Sequence, residues 1–189
     1  DKANKEKNKR IEDKFNVKAT KILNEITDIK ARPIIWKNRA YAISVAGKLV
    51  CLDMEKDGEE NWHLEIAGVH QPWLAGDVLY VLTLNSELIA INAEKGNILW
   101  INELEKFNDP VEKKEPIFWN GPIMAGSRLF LTNSNGKIFS FNIQTGELFG
   151  KIDLNTKFGT LSPIVLNDIL YVQTLDGYLI AFSDLSEKK

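Results

Sequence analysis

Residues able to do acid–base, metal or nucleophilic chemistry are few. The chain has two histidines, His63 and His70, and one cysteine, Cys51, among 189 residues. His63 stands beside Trp62, and no second histidine, cysteine or carboxylate lies at a metal-ligand spacing from it. It reads as a polar rim residue. His70 falls in the connector GVHQP and reads as a loop residue. Cys51 sits inside the apolar run 49–52. With no second cysteine it forms no internal disulfide, and a small buried core residue is its expected role. The sequence contains no GxGxxG, no P-loop, no HExxH and no paired-cysteine metal box. Two loop histidines give a Ser–His–acid triad little to build on. No catalytic, metal or cofactor-binding residue is assigned, and the expectation is a non-enzymatic binding scaffold.

A scaffold works by holding surfaces, so the question becomes which elements hold them. Residues 72–104 contain the unit of construction. A run of β-formers at 78–83 leads to the turn Asn85-Ser86-Glu87. A second run at 88–91 leads to Asn92-Ala93-Glu94-Lys95-Gly96, and a third ends at Trp100. That spells three antiparallel strands joined by two hairpin turns. Both faces of 78–82 and of 88–91 are apolar, so the sheet must be covered on both sides. One such unit needs neighbours like itself.

The neighbours are present. Pro33, Pro72, Pro122 and Pro163 mark equivalent positions, 39, 50 and 41 residues apart. Fourteen residues after each comes a turn residue, Gly47, Ser86, Gly136 and Gly177. Twenty after each comes Asp53, Asn92, Asn142 and Ser183. Gly58, Gly96 and Gly146 close the second turn, and an aromatic follows at Trp62, Trp100 and Phe149. Self-similarity at about 40 residues with short strands is a β-propeller signature. The repeats span about 33–68, 72–104, 122–154 and 163–183, inside a half-propeller region of 31–185 with a tail at 186–189. Asn135-Gly136 and Asp176-Gly177 read as type I′ turns. Trp62, Trp100 and Phe149 are expected to dock between blades. Trp36, Trp73 and Trp119 lie outside that position, as inter-blade packing or as contact residues.

Composition agrees with a soluble core-forming chain: 44% hydrophobic, 26% charged, net charge −2. No apolar run approaches the ~18 residues of a membrane helix, and the opening DKANKEKNKR does not read as a signal peptide. The near-balanced charge leaves no electrostatic footprint for nucleic acid. Residues 1–30 differ from the rest. They hold nine Lys/Arg and six Asp/Glu, 9 − 6 = +3, against 15 − 20 = −5 for the remainder. Ile11, Phe15, Ile22, Ile26 and Ile29 follow a helical spacing, so a charged, partly helical lead-in is expected. Between the second and third repeats the connector grows by about ten residues, 105–115, either a tolerated surface insertion or a binding loop.

The pattern AGDVLYVLT…LIAINAEKGNILW resembles the tryptophan-docking, PQQ-type propeller repeat. Across 27–183 the order of elements is similar to the C-terminal half of the BamB family, propeller lipoproteins of the outer-membrane β-barrel assembly (BAM) machine. ARPIIWKNRAYAISVAGKLVCLD, GVHQPWLAGDVLYV, IFWNGPIMAGSRLFLTNSNGKI and SPIVLNDILYVQTLDGYLIAF carry the likeness. The resemblance implies an all-β fold, about four blades of an eight-bladed propeller, on the periplasmic face of the outer membrane. It implies a scaffold that binds the periplasmic repeats of the barrel-inserting subunit, with unfolded outer-membrane proteins as possible further partners, and no cofactor.

Two departures stand out. The family's lipidated N-terminal cysteine has no counterpart, since Cys51 is in mid-strand. The family's acidic partner loop, Asp-x-Asp before a blade-opening proline, here reads Asp28-Ile29-Lys30-Ala31-Arg32-Pro33. Asp28 matches the first acid and Lys30 replaces the second, so Asp28, Lys30 and Arg32 are the expected partner-binding residues. PQQ-dependent dehydrogenases share the repeat, but their resemblance requires a vicinal cysteine pair that one cysteine cannot supply. A peptide-binding propeller of another compartment is a third reading. Four blades of an eight-bladed design leave apolar faces open, so self-association of the chain is also expected.

Overall fold

A computed structural model describes residues 28–159, 161–167 and 169–182. The described residues contain strands and turns, with no helix. Most of the helical lead-in expected over 11–29 lies outside them, and Asp28 and Ile29 are irregular. Two compact units divide the chain, residues 1–69 and residues 70–189.

The described residues of the first unit form one antiparallel sheet: β1 (Ile34–Trp36), β2 (Arg39–Ile43), β3 (Leu49–Asp53) and β4 (Glu59–Leu64), in sequential order. Alternation puts Tyr41 and Ile43 on one face of β2 and Ala42 on the other. Ile29 packs against Ala42 and Val50 on that second face. Tyr41 and Cys51 are cross-strand partners and fully buried. Burial, with the Cys51 sulfur beside it, pushes the Tyr41 hydroxyl up to about 12, and burial likewise raises the Cys51 thiol.

The second unit repeats the plan. β5 (Trp73–Ala75), β6 (Val78–Leu82), β7 (Glu87–Asn92) and β8 (Ile98–Glu103) form one sheet. A two-stranded hairpin follows, β9 (Phe107–Asp109) with β10 (Lys114–Pro116). Then come the sheet β11 (Trp119–Ala125), β12 (Arg128–Asn133), β13 (Lys137–Asn142), β14 (Leu148–Asp153), and the three-stranded sheet β15 (Ile164–Leu166), β16 (Ile169–Gln173), β17 (Leu179–Phe182).

In the second unit sheet stacks on sheet because the inner strands are apolar on both sides. Tyr80, Leu82, Leu88 and Ala90 meet Leu129, Leu131, Phe139 and Phe141 in one core. The far side of that third sheet, Ile123, Phe130 and Ile138, meets Phe158, Leu170 and Val172 in another. Trp73 packs against both cores. Each fully buried side chain of this size contributes about 1.5–3 kcal/mol.

The first turns share one construction. Ser44, Thr83, Asn133 and Thr174 each accept, through a side-chain oxygen, the backbone N–H four residues on. The residue before that donor, Gly47, Ser86, Gly136 or Gly177, has positive φ. Neither Asn135 nor Asp176 does. The type I′ reading of Asn-Gly and Asp-Gly is therefore corrected: three-residue loops close on one left-handed residue. The reason is the polar residue ahead of the loop, whose side chain holds the wider turn. Second turns are Asx turns. Asp53, Asn92 and Asn142 each accept two backbone N–H groups through Oδ1, and Gly58, Gly96 and Gly146 bond back to their carbonyls.

Candidate interaction surface

Asp28, Lys30 and Arg32 all project into solvent, while Ile29 is half-buried and Ala31 buried. The Asp28 carbonyl accepts the Val45 N–H at 3.1 Å, which ties this segment to the first turn of its sheet. The same bond recurs from Ser134 to Phe118 at 2.8 Å and from Leu175 to Lys157 at 2.9 Å. The charged triplet is thus held at a structurally equivalent place, one turn outside the core.

Among the aromatics, Trp100 is half-buried and tilts against Tyr80 with centroids 6.0 Å apart. Its Nε1–H donates to the Ile143 carbonyl at 3.2 Å, and the Tyr80 hydroxyl donates to the same oxygen at 3.2 Å. A Cβ on Gly146 would come within 2.5 Å of the Trp100 ring. Trp100 therefore lies against the second turn of the next sheet, and Asn102 donates to the Gly146 carbonyl beside it. Trp62 has the same register, opposite Cys51 as Trp100 is opposite Ala90. In the third sheet that register holds Gly150, opposite Ser140. Phe149 falls on the bulge residue, is 40% exposed, and carries the Arg128 guanidinium 3.6 Å over its ring. The aromatic match to Phe149 lands one residue early, because the position equivalent to Trp62 and Trp100, four after the turn glycine, holds Gly150 here. Trp119 is buried, lies 4.8 Å from the Phe139 ring, and donates from Nε1 to the Glu105 carbonyl at 2.8 Å. Packing, not surface contact, is its role.

The expanded connector is an ordered hairpin. Asp109 Oδ1 accepts the Val111 and Glu112 N–H groups across its turn. Asn135 donates to Asn108 Oδ1 at 2.7 Å, which pins the hairpin to the first turn of the third sheet. Val111 at its tip is 89% exposed. Its turn is legible as Asn108-Asp109-Pro110, but the lysines and glutamates on either side give no strand signal.

His63 is exposed on β4, its Nδ1 2.5 Å from Glu60 Oε1 and its Nε2 3.9 Å from Glu65. Lys48 reaches the same Glu60 at 2.7 Å and, more than the histidine does, holds its carboxyl below the usual range. His70 is half-buried, its Nδ1 3.4 Å from Ser162 Oγ. Burial lowers its pKa, with a backbone hydrogen bond at Trp119 opposing. Among the described residues no three His, Cys, Asp or Glu side chains group to hold a metal.

Comparison with known proteins fits this architecture. The family described as outer membrane protein assembly factor BamB matches residues 10–102 and 85–188. BamB of Salmonella typhimurium is 22% identical over 163 residues, 85% of this chain and 38% of that protein. The crystal structure of BamB from Moraxella catarrhalis aligns with a TM-score of 0.70 at 19% identity, covering 85% of this chain and 46% of the other. The quinohemoprotein alcohol dehydrogenase of Comamonas testosteroni aligns with a TM-score of 0.62 at 15% identity, over 79% of this chain and 29% of that one. Those last two similarities carry the fold. The chain spans less than half the length of each of these proteins. With the family model matching across most of its residues, the chain belongs to the BamB family of outer membrane protein assembly factors.

Proposed function

We propose that this chain supplies part of a non-enzymatic scaffold in outer-membrane protein assembly. It binds the periplasmic repeats of the barrel-inserting subunit of the BAM complex and helps deliver or insert β-barrel proteins. The observation that carries the reading is family membership along nearly the whole chain. The relatives are outer-membrane assembly factors, which fits the periplasmic face of the outer membrane of a Gram-negative bacterium. Asp28, Lys30 and Arg32 are the contact set, because they are exposed on a segment whose backbone is tied to the first turn. Trp100 acts only as a blade docker, keeping the second and third sheets in register, and Trp62 takes the same strand position within its own sheet.

Calorimetry with the isolated periplasmic repeats tests the contact. Asp28→Arg weakens binding more than Asp109→Arg in the hairpin. Wild-type affinity in both variants removes the Asp28 segment from the site.

Self-association belongs to the same reading. Ile164, Leu166 and Leu179 are 59%, 60% and 66% exposed, whereas Leu88 and Ile138, equivalent to Leu179, are 0% and 2% exposed. An uncovered apolar sheet face attracts a partner, and for the isolated chain that partner is a second copy. A monomer mass at high micromolar concentration by sedimentation, without aggregation, refutes it.

A further inference from the structure

We propose that the outer strand β8 is an acceptor edge for an extended polypeptide strand with apolar side chains at alternate positions. Among the described residues, the order β5-β6-β7-β8 leaves β8 paired on one side only, to β7. A bulge at Leu99, shared in position by β4 and β14, interrupts the strand, and from Trp100 to Glu103 alternate N–H and C=O groups point outward as a regular ladder. Beside that ladder stand Ile98, Leu99 and Ile101, 45%, 51% and 52% exposed. No charge interrupts 98–102, and Glu103 comes only at the strand's end.

The equivalent edges are guarded. β4 reads Glu-Glu-Asn-Trp-His-Leu, and Lys48, Glu60 and His63 form a charge cluster along it. β14 carries Lys151 and Asp153, and Arg128 covers its Phe149 ring. Charged side chains on an edge repel strand addition, and their absence on a long apolar edge invites it. β8 is also held firmly from behind, through Trp100 to Ile143 and Asn102 to Gly146. A rigid, unguarded edge suits β-augmentation, in which main-chain bonds give affinity and alternate side chains give selectivity. This inference stands on the strand edge alone and requires no contact at Asp28.

The test uses the full chain and a labelled twelve-residue peptide alternating valine with threonine, with lysine at each end. Its twin is N-methylated at alternate residues, which deletes backbone donors while keeping the apolar surface. We expect the unmodified peptide to bind and the twin to bind at least about tenfold more weakly. Amide exchange should slow at β8 and stay unchanged at β4. Leu99→Lys combined with Ile101→Lys should abolish binding, with an unchanged unfolding midpoint showing that the variant folds. Equal affinity for both peptides, or wild-type binding by the lysine variant, overturns the proposal. So does chain dimerisation that the lysine variant abolishes but the peptide does not compete, because the edge then serves a second copy.

Discussion

The outer strands of the first two sheets, β4 and β8, occupy the same place and are built in opposite ways. Both follow an Asx turn closed by glycine, both carry a bulge at the same step of the ladder, and both set a tryptophan opposite a small residue of the strand before. Around that shared frame, β4 is lined by Glu59, Glu60 and His63, and β8 by Ile98, Leu99 and Ile101. The inward position is fixed by what the tryptophan touches. The outward positions are constrained only by what is allowed to pair with the edge, so there two copies of one repeat diverge.

The largest expected effect separates the two sides of β8. Trp100→Ala removes a ring wedged against Gly146 and a hydrogen bond to Ile143, and should cost about 3–5 kcal/mol, the range for emptying a large aromatic site. Ile101→Thr keeps the β-branched shape on an exposed position and should stay within about 0.5 kcal/mol. Denaturant midpoints of the two variants decide it. Equal losses would mean that the strand's inward and outward positions are not distinct.

A second pair tests what the docked ring leans on. Gly76 and Gly146 both have positive φ, +58 and +73. An added Cβ meets nothing within 4 Å at Gly76 but the Trp100 ring at Gly146. Gly76→Ala therefore carries only left-handed strain, about 1–2 kcal/mol. Gly146→Ala adds overpacking of about 1–3 kcal/mol and should redshift Trp100 fluorescence as the ring is pushed toward water.

These contrasts also mark how far the sequence could be read. Proline and turn offsets marked the four larger sheets but not the β9–β10 pair, because an Asx turn and its closing glycine are local chemistry written in adjacent residues. Either landmark points to Gly150, which stands four after Gly146 as Trp62 and Trp100 stand four after Gly58 and Gly96, and 28 after Pro122 as Trp100 stands after Pro72; matching by aromatic type led to Phe149 instead. The buried Ser44, Thr83, Asn133 and Thr174 escaped notice because each looks like an ordinary polar strand end, although each lies three residues before the turn's left-handed residue. Trp119 could not be sorted from sequence, because its partners Phe139 and Glu105 come from different elements. The charged triplet at Asp28 was visible only through family likeness, since exposure leaves no periodic trace.

Breaking the guard on β4 is the next and smaller effect. Glu60→Val with His63→Val removes the cluster around Lys48 and makes β4 resemble β8. The exposed ion pair is worth less than about 1 kcal/mol, so the unfolding midpoint should barely move. Light scattering at high concentration should nevertheless rise, because an unguarded edge pairs with other chains. Unchanged scattering would mean that the charges on β4 are incidental.

The smallest effect distinguishes the chain's two histidines. His70 is half-buried beside Ser162 and the Trp119 backbone, and burial lowers its pKa below the ordinary 6.5. A lowered folded pKa means that the unfolded chain takes up the proton first. The stability His70 contributes is therefore complete above pH 6.5 and is lost as pH falls from there through the folded pKa. Glu60, whose pKa is lowered from 4.5 chiefly by Lys48, acts in a separate window, losing its contribution only as pH falls below that value. His70→Gln should flatten the decline in unfolding midpoint that begins near pH 6.5, and His63→Gln, on the exposed edge of β4, should leave that decline in place. If His63→Gln removes the decline and His70→Gln does not, the proton-linked group lies on the charged strand edge and the buried connector histidine plays no part.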